Sequence, residues 1–431
     1  MKILNSSTAT SFGGLNFVLK ELTELGIDKL LEKELPALSS QSRYTWKDIF
    51  YTYWSIPFCG GDCAEDISIH LKHAFANNPF VRSPSPDRLL NRLKELSVSS
   101  VQIEKHRSKV INEFSINDML NRLNVKLLKK LLPTKNKVDV LDYDNTFVYT
   151  EKADAKKTFT GGRGYCPGVG TIGNNIVYVE NRNGNCVAHY LQDETIERMF
   201  EILKSQNIKV DSFRADSASY QFSTITTINR YVNKLYVRTR MNEALSDAIK
   251  SIKEWAKIEV DGNTLFRGST RYIPFKEPAR KTKQKGMLEE YRLVVTKEKR
   301  KDGQIDLFTG EACTYSAILT NDYDKTDDQI VFFYNQRGKQ EKEFDILKND
   351  FAWNKLPFSK LEQNTVFMIL MAMCRNIYNY LIHKFSRRFK FLSPNFRIKK
   401  FIFRFICIPA RWIKSGRTHK LRLYGEIAFK T

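Results

Sequence analysis

The sequence predicts an α/β protein in which a mixed sheet is flanked by helices and preceded by a helical N-terminal region. Three patterns of residue spacing and composition along the chain predict this class. Apolar residues at helical spacing dominate residues 1–130, strand-like and helix-like segments alternate over 137–257, and a β-rich, basic insertion covers 258–330. Helical spacing returns over 331–390, and a basic tail, predicted to be helical, occupies 391–431.

Length and composition bound what the chain can be. It has 431 residues, of which 42% are hydrophobic, so it can bury real cores in about two to four domains. The longest apolar run, 366–374, is far shorter than the ~20 residues of a membrane span. Polar residues follow Met1 closely, and the seven scattered cysteines suggest no disulfide framework. We therefore expect a cytoplasmic protein with no membrane partner.

The charge is strongly basic and unevenly distributed. The chain carries 70 Lys and Arg against 48 Asp and Glu, a formal net charge of +22. Fourteen of the basic residues and one acid, Glu426, lie in 384–431, and a second basic stretch covers 267–301. Both are interleaved with aromatic residues, a combination that favours a nucleic-acid partner. A solvated basic face above an apolar underside is the alternative.

The N-terminal third is predicted to be a set of short helices. Helical spacing covers 16–35, 45–56 and 64–75, and the segment 83–87 breaks the chain and caps a helix that begins near Arg88. Such a bundle can bind DNA, or it can serve packing alone. The net charge favours the DNA-binding interpretation.

Strands and helices then alternate, as in an α/β domain with a mixed sheet. Turn-like residues at 181–185 separate two of the predicted strands. The predicted strands are 138–144, 171–180, 186–191, 208–215 and 235–239, and the predicted helices between them are 194–206 and 220–232.

Two of these strands end in carboxylates. Asp142 and Asp144 close one strand, and Asp216 follows another. Residues two apart in a strand share a face, so spacing does not separate Asp142 from Asp144. Acids at neighbouring strand ends form a hard oxygen site suited to Mg²⁺ or Mn²⁺. The alternative is that Asp216 merely caps the helix that follows it.

A sharper pattern lies after the insertion. Tyr334, Arg337, Glu341 and Lys348 stand at offsets 0, 3, 7 and 14, which places them within about 60° of one another on a helix. One face therefore presents an aromatic ring, two cations and a carboxylate. Such a face is unsuited to a core and suited to holding a phosphodiester beside a metal ion.

The pattern Y-x2-R-x3-E-x6-K resembles the signature of a branch of bacterial insertion-sequence transposases with a DDE catalytic core on an RNase H-like fold. Asp144-Asn145-Thr146 is similar to the D-x-T motif around the first catalytic acid of that family, which favours Asp144 over Asp142. Residues 214–217 resemble the segment around the second acid, and 409–423 resemble the tail of one sub-branch. Gly338, inside the signature, is a departure.

The resemblance implies a site and a chemistry. Asp144, Asp216 and Glu341 would be the catalytic residues and would hold two Mg²⁺ ions, for which Mn²⁺ would substitute. Tyr334, Arg337 and Lys348 would contact DNA. The implied reaction is cut-and-paste transposition through a DNA hairpin, carried out by a homodimer on terminal inverted repeats and target DNA in the bacterial nucleoid.

A hairpin route also implies an aromatic residue that receives a flipped base. The candidates in this sequence are Trp255, Phe266, Tyr272 and Phe275. Two alternatives to a transposase stay open at this point. One is a metal-dependent nuclease of the same fold that cuts without joining. The other is a catalytically silent DNA-binding protein derived from a transposase.

Overall fold

A computed structural model describes residues 9–104, 109–132, 137–260, 262–276, 280, 289–305, 307 and 309–424. Part of the second basic stretch, including Lys281, Lys283 and Lys285, lies outside the described residues. The helices are α1 (Leu15–Glu24), α2 (Ile27–Glu34), α3 (Trp46–Phe58), α4 (Asp66–Ile69), α5 (Lys72–Phe75), α6 (Pro86–Lys94), α7 (Asp118–Leu131), α8 (Gln192–Ser205), α9 (Phe222–Asn229), α10 (Glu243–Lys250), α11 (Asp327–Asn335), α12 (Lys339–Asp350), α13 (Leu361–Arg388) and α14 (Ile398–Phe401).

The strands follow the predicted alternation. They are β1 (Val101–Glu104), β2 (Ile111–Ser115), β3 (Lys137–Asn145), β4 (Val148–Tyr149), β5 (Lys156–Lys157), β6 (Arg163–Tyr165), β7 (Gly168–Ile172), β8 (Asn175–Arg182), β9 (Lys209–Ala215), β10 (Lys234–Arg238), β11 (Ala256–Val260), β12 (Asn263–Tyr272), β13 (Tyr291–Lys299), β14 (Cys313–Thr320), β15 (Ala410–Ser415) and β16 (Thr418–Leu423).

One large mixed sheet organises the molecule. Eleven strands lie in the order β1-β2-β8-β7-β3-β9-β10-β14-β13-β12-β11. At its centre β8, β7 and β3 are antiparallel neighbours, whereas β9 runs parallel to β3 and β10 runs parallel to β9. This central order is that of an RNase H-like core. The predicted α/β class with a mixed sheet is confirmed.

The β-rich insertion continues this sheet. Strand β14 pairs antiparallel with β10, and β13, β12 and β11 follow outward as a meander. Ion pairs tie these strands to the start of α11, because Arg292 contacts Asp327 at 2.6 Å and Arg267 contacts Asp328 at 2.5 Å. The insertion therefore supports the helix that opens the signature segment.

The sheet has two differently used faces. Leu141 and Tyr143 of β3 point into a core shared with helices α8, α9 and α10. Asp142 and Asp144 alternate with them and point to the opposite face. On that face Tyr334 of α11 packs with apolar residues of the insertion strands. The carboxylates of β3 thus face the signature segment.

The N-terminal helices share a core with α12, α13 and the end of the chain. The Trp54 indole of α3, which is buried, donates a 3.0 Å hydrogen bond to the Leu370 carbonyl of α13. Helix α13 is long and apolar enough to cross a membrane, with a mean hydropathy of 1.3, but 94% of that window is buried inside the protein. It is the central helix of this core.

Local sequence signals set the ends of the N-terminal helices. The predicted helix 16–35 is divided into α1 and α2 at Gly26, which has a φ of +65° that favours glycine. Thr45 forms a capping box with Asp48 at the start of α3, and the Ser85 hydroxyl accepts from the Arg88 amide at the start of α6. The predicted helix 64–75 consists of two short helices, α4 and α5.

The predicted strand 186–191 is wrong. Strand β8 ends at Arg182, and the following residues form turns up to Leu191. Two of their backbone carbonyls bind a buried charge: the Arg182 guanidinium donates to the carbonyls of Ala188 and Tyr190 at 3.1 and 2.9 Å. Because both carbonyls point at one guanidinium, they are not hydrogen-bonded to a neighbouring strand.

The prediction of a helical tail is also wrong. Helix α14 is short, and after Pro409 the strands β15 and β16 form a two-stranded antiparallel ribbon. Proline has no amide hydrogen to donate and limits helix continuation. Gly416, with a φ of +60°, then makes the tight turn between the two strands.

Candidate active site

Two parallel strands bring the first two acids to one edge of the sheet. In the pairing of β3 with β9, Asp142 lies opposite Arg214 and Tyr143 lies opposite Ala215. Asp144 comes next on β3, and Asp216 comes next after β9. Because parallel neighbours end at the same sheet edge, the two carboxylates meet there.

The signature segment crosses this edge in three pieces. Helix α11 ends at Asn335, Gln336–Gly338 forms a 3-10 turn, and α12 begins at Lys339. A 3-10 turn has 3.0 residues per turn against 3.6 in an α-helix, so it rotates α12 relative to the predicted stripe. Tyr334 is buried against the insertion strands before the turn, whereas Glu341, after the turn, is exposed.

Three signature residues fasten the segment to the acid-bearing strands. The Tyr334 hydroxyl donates to the Ala215 carbonyl at 3.2 Å, directly before Asp216. The Arg337 guanidinium contacts Asp144 Oδ2 at 2.8 Å, and Lys348 Nζ donates to Thr146 Oγ1 at 2.7 Å. These contacts hold α11 and α12 over the ends of β3 and β9.

The electrostatics of Asp144 mark the site. The pKa of this carboxyl is raised to about 7; burial is the largest cause, and the nearby Asp216 and Glu341 carboxylates contribute to the rise. Arg337 opposes this rise through its ion pair, and its own pKa is raised, because the attraction of Asp144 and the contact with Tyr334 outweigh the effect of burial. Asp144 therefore interacts electrostatically with two other acids, Asp216 and Glu341, and with one guanidinium, that of Arg337.

Asp216 and Glu341 keep oxygens available. Asp216 Oδ1 accepts from the Ala218 amide at 3.0 Å, so the residue does cap the following turn. Its Oδ2 accepts no hydrogen bond within the described part of the chain, and neither does the carboxylate of Glu341. Among described residues, oxygens of Asp144, Asp216 and Glu341 do not all lie within 4.8 Å of one another. A shared ion would require the three carboxylates to move closer together.

The neighbouring Asp142 is engaged elsewhere. It is buried and forms a bidentate ion pair with Arg214, at 2.7 and 2.8 Å. Arg214 also donates to the Phe333 carbonyl and lies over the Phe333 ring, 4.7 Å from its centroid. Asp142 is therefore a structural acid that joins β3 and β9 to the end of α11.

The donor set suits a hard divalent cation. Oxygen ligands alone, from three separate elements, are the ligands that Mg²⁺ and Mn²⁺ prefer. Arg337 supplies the positive charge that Asp144 faces in this structure. Lys348 is half-buried, and burial lowers the pKa of its ammonium group.

Sequence reasoning missed an aromatic cluster beside the first acid. Phe147 lies 5.1 Å from Phe159 and 6.1 Å from Tyr149 between ring centroids, and Phe159 is 77% exposed. Phe147 and Tyr149 directly follow the Asp144-Asn145-Thr146 triplet, on and beside strand β4. Their position after the triplet was the available signal.

The four candidate base receivers lie in different surroundings. Tyr272 and Phe275 line a cavity of about 730 Å³ together with Tyr220, whose ring centroid is 4.8 Å from that of Phe275. Trp255 packs against Tyr315 beneath Lys297, and Phe266 is 43% exposed on β12. Tyr220 follows Asp216 by four residues, so the cavity begins close to the second acid.

An RNase H-like core with Asp144 and Asp216 at one strand edge and Glu341, Arg337 and Lys348 on the adjoining segment is the arrangement expected of a DDE-type nucleic-acid enzyme. The family model described as "Transposase DDE domain group 1" matches residues 6–431, so the chain belongs to this transposase family. The protein is therefore an enzyme of DNA cleavage and strand transfer.

The chain is also similar to a solved structure described as "Cryo-EM structure of piggyBac transposase synaptic complex with hairpin DNA (SNHP)". The similarity covers 90% of this chain and 78% of the other, with 12% sequence identity and a TM-score of 0.46. No curated protein sequence matches the chain.

Proposed function

We propose that this transposase catalyses cut-and-paste transposition of an insertion sequence, with Asp144, Asp216 and Glu341 as its catalytic residues. The observation that carries the proposal is the position of these three acids: Asp144 and Asp216 lie at one sheet edge, and Asp216 and Glu341 both act electrostatically on Asp144, whose pKa is raised to about 7, chiefly by burial. The proposed cofactor is a pair of Mg²⁺ ions, for which Mn²⁺ substitutes.

The metal ions would activate the attacking water or 3′-hydroxyl and stabilise the leaving oxygen. The chain's own residues place the acids and the phosphate. Arg337 stays beside Asp144 and offers its remaining guanidinium donors to a phosphate. Lys348 fixes Thr146 and adds positive charge next to the first acid. Tyr334 holds α11 against the end of β9, a positioning role beyond its predicted DNA contact.

The hairpin route belongs to the same proposal. A tight DNA hairpin is relieved when one base leaves the stack, and a pocket with aromatic walls receives such a base. The cavity lined by Tyr220, Tyr272 and Phe275 has the volume and the walls for it, about 730 Å³. We assign the flipped base to this cavity in preference to Trp255, whose ring already contacts Tyr315 and Lys297.

The proposed partners are double-stranded terminal inverted repeats, target DNA and a second copy of the chain on the paired ends. The net charge of +22 supports a polyanionic partner. The proposed location is the bacterial cytoplasm, in association with the nucleoid.

The test is excision and joining of a plasmid-borne element that carries the gene's own ends. Wild type and Glu341→Gln are incubated with Mg²⁺ and with EDTA, and the products are sized. We expect excision and joining only for the wild type with Mg²⁺. Cutting without joining would support the nuclease, and binding without any cutting would support the silent DNA-binding protein.

A further inference from the structure

The ribbon formed by β15 and β16 lies at the end of the described chain and is strongly basic, with five Lys and Arg residues and no acid. Its strands pair antiparallel from Ala410 opposite Leu423 to Ser415 opposite Thr418. The turn uses Gly416 and Arg417, and Gly416 supplies the positive φ that two-residue hairpins require. Side chains alternate between two faces, so each face can be assigned from the register.

The inner face of the ribbon is packed. Trp412 donates from its indole nitrogen to Asn16 Oδ1 at 2.9 Å, and its ring lies 6.0 Å from that of Phe80. The backbone of Ala410 exchanges two hydrogen bonds with Thr10, at 2.8 and 2.9 Å. The base of the ribbon is therefore fixed to the N-terminal helical region.

The outer face presents cations to solvent. Arg411, Lys420 and Arg422 lie on this face, and all three are exposed. Lys414 and Arg417 stand at the exposed tip. None of these cations makes an ion pair in the portion of the chain that is described, and β15, β16 and their turn contain no acid.

The register makes this face unfavourable without an anion. Arg411 lies directly opposite Arg422, and like charges in directly opposed positions of an antiparallel pair destabilise it. Two other exposed arginines of the fold, Arg271 and Arg397, are each paired with acids. A line of phosphates would neutralise the ribbon in the same way.

We propose that the β15–β16 ribbon binds duplex DNA by entering the major groove with its outer face, so that Arg411, Lys420 and Arg422 contact backbone phosphates. The major groove is about 12 Å wide and admits a two-stranded ribbon, whose strands lie about 4.8 Å apart. Ile413, between the cations, is the apolar contact that faces base edges. This inference deepens the proposed function and rests on DNA being the substrate.

Charge-removal variants of the full-length chain test the ribbon. The triple variant Arg411→Gln, Lys420→Gln, Arg422→Gln leaves Trp412 and its packing unchanged. The matched control is Lys129→Gln, Lys204→Gln, Lys209→Gln, which removes three exposed cations near the amino end of β9, away from the acids. Both are compared with wild type by fluorescence anisotropy on duplex DNA that carries the gene's ends, over a range of salt.

We expect the ribbon variant to bind duplex DNA at least about tenfold more weakly at ~0.1 M salt. The slope of log affinity against log salt should fall in magnitude by about 2–3, because each lost phosphate contact removes about 0.9. The control should keep the wild-type slope. Equal slopes for the ribbon variant and wild type would overturn the inference.

Two readouts separate this inference from the proposed function. A wild-type chain that binds no duplex DNA would refute the proposed function, whereas wild-type cleavage with an unchanged ribbon variant would refute the ribbon alone. A photocrosslinking amino acid at Ile413 should crosslink to duplex DNA, and one at Leu421, on the packed face, should not. Crosslinks from both sites would contradict the major-groove placement. Binding to single-stranded DNA is measured in the same way, and an equal loss of single-strand and duplex binding by the ribbon variant would also contradict that placement.

Discussion

Asp142 and Asp144 share one face of β3 but have opposite surroundings. Asp142 is neutralised by Arg214 in a buried bidentate pair, whereas Asp144 faces Arg337 together with Asp216 and Glu341. A carboxylate that satisfies a buried guanidinium stabilises the fold, and a carboxylate crowded by other acids is suited to binding a cation.

This difference predicts opposite phenotypes for two isosteric substitutions. Asp142→Asn should lower the free energy of unfolding by about 3 kcal/mol or more, because it leaves Arg214 buried without a neutralising charge. Asp144→Asn should not lower it at pH 7, because burial already disfavours the charged form of Asp144 and raises its pKa to about 7, but it should abolish DNA cleavage. Urea unfolding and the plasmid assay measure the two effects. A stable, inactive Asp142→Asn protein beside an active Asp144→Asn protein would reverse the assignment.

The raised pKa of Asp144 predicts a pH dependence. Its folded pKa, about 7, lies above its ordinary value of 3.8, so the native state holds this proton more tightly than the unfolded state. The contribution of Asp144 to stability is therefore greatest at low pH and is lost as the pH rises from about 4 to about 7. As the pH rises across this range, the free energy of unfolding of the wild type should fall relative to that of Asp144→Asn. If the two free energies change in parallel with pH, the raised pKa of Asp144 is contradicted.

The same titration should govern metal binding. Divalent cations bind the deprotonated carboxylate, so apparent Mn²⁺ affinity should increase with pH up to about 7 and level off above it. Isothermal titration calorimetry of the metal-free protein measures this directly, and Glu341→Gln is the control for a site that needs all three acids. Affinity that is independent of pH between 5 and 7 would exclude Asp144 as a ligand.

At the scale of elements, the turn between α11 and α12 sets the site. Gly338 lies in it with a right-handed helical conformation and with nothing within 4 Å of an added Cβ atom. Gly338→Ala should therefore raise the free energy of unfolding by about 0.4–1 kcal/mol and keep activity, because it reduces the freedom of the unfolded chain alone. Gly168→Ala is the contrasting control, since its Cβ would collide with the Tyr143 hydroxyl. A destabilised Gly338→Ala protein would show that the turn needs glycine.

Element prediction from the sequence succeeded where periodicity and caps agree. Helix α3 with its Thr45 box and strand β9 up to Ala215 are confirmed close to their predicted limits. The predicted strand 186–191 is wrong because the buried Arg182 guanidinium binds the carbonyls of Ala188 and Tyr190. Neither propensity nor periodicity indicates that Arg182 is buried there. The ribbon failed as a helix because its inward residues, such as Trp412, are fixed by contacts with Asn16 and Phe80, which are distant in the sequence.

For the candidate site, the sequence pointed to candidate residues but not to their individual contacts. The D-x-T and Y-x2-R-x3-E-x6-K patterns predict the acids and cations, and in the fold Arg337 contacts Asp144 while Asp216 and Glu341 lie near enough to affect the pKa of Asp144. The burial of Tyr334 depends on packing against the insertion strands, which lie far from it in the sequence, and the 3-10 turn that follows is not specified by the helical spacing of the signature. The pairing of Asp142 with Arg214 depends on the register of β3 with β9, which spacing alone does not specify.

At the scale of the whole molecule, the N-terminal helices, α12, α13 and the C-terminal segment form one core. Trp54→Ala should therefore destabilise the entire chain by about 3–5 kcal/mol in a single transition, because it removes a fully buried ring and its hydrogen bond to Leu370. Tryptophan fluorescence and circular dichroism should report the same midpoint. Two separate transitions would show that the N-terminal helices unfold independently.

That common core has a consequence for the DNA. The ribbon is attached to the N-terminal helices through Trp412, and those helices pack on α13, which in turn contacts β8 of the catalytic sheet. The distance between the ribbon and the acids is therefore fixed by the common core. If a straight duplex does not span that distance with both contacts made, the DNA has to deform. Sequences that bend or untwist cheaply would then be preferred at base pairs the protein never touches.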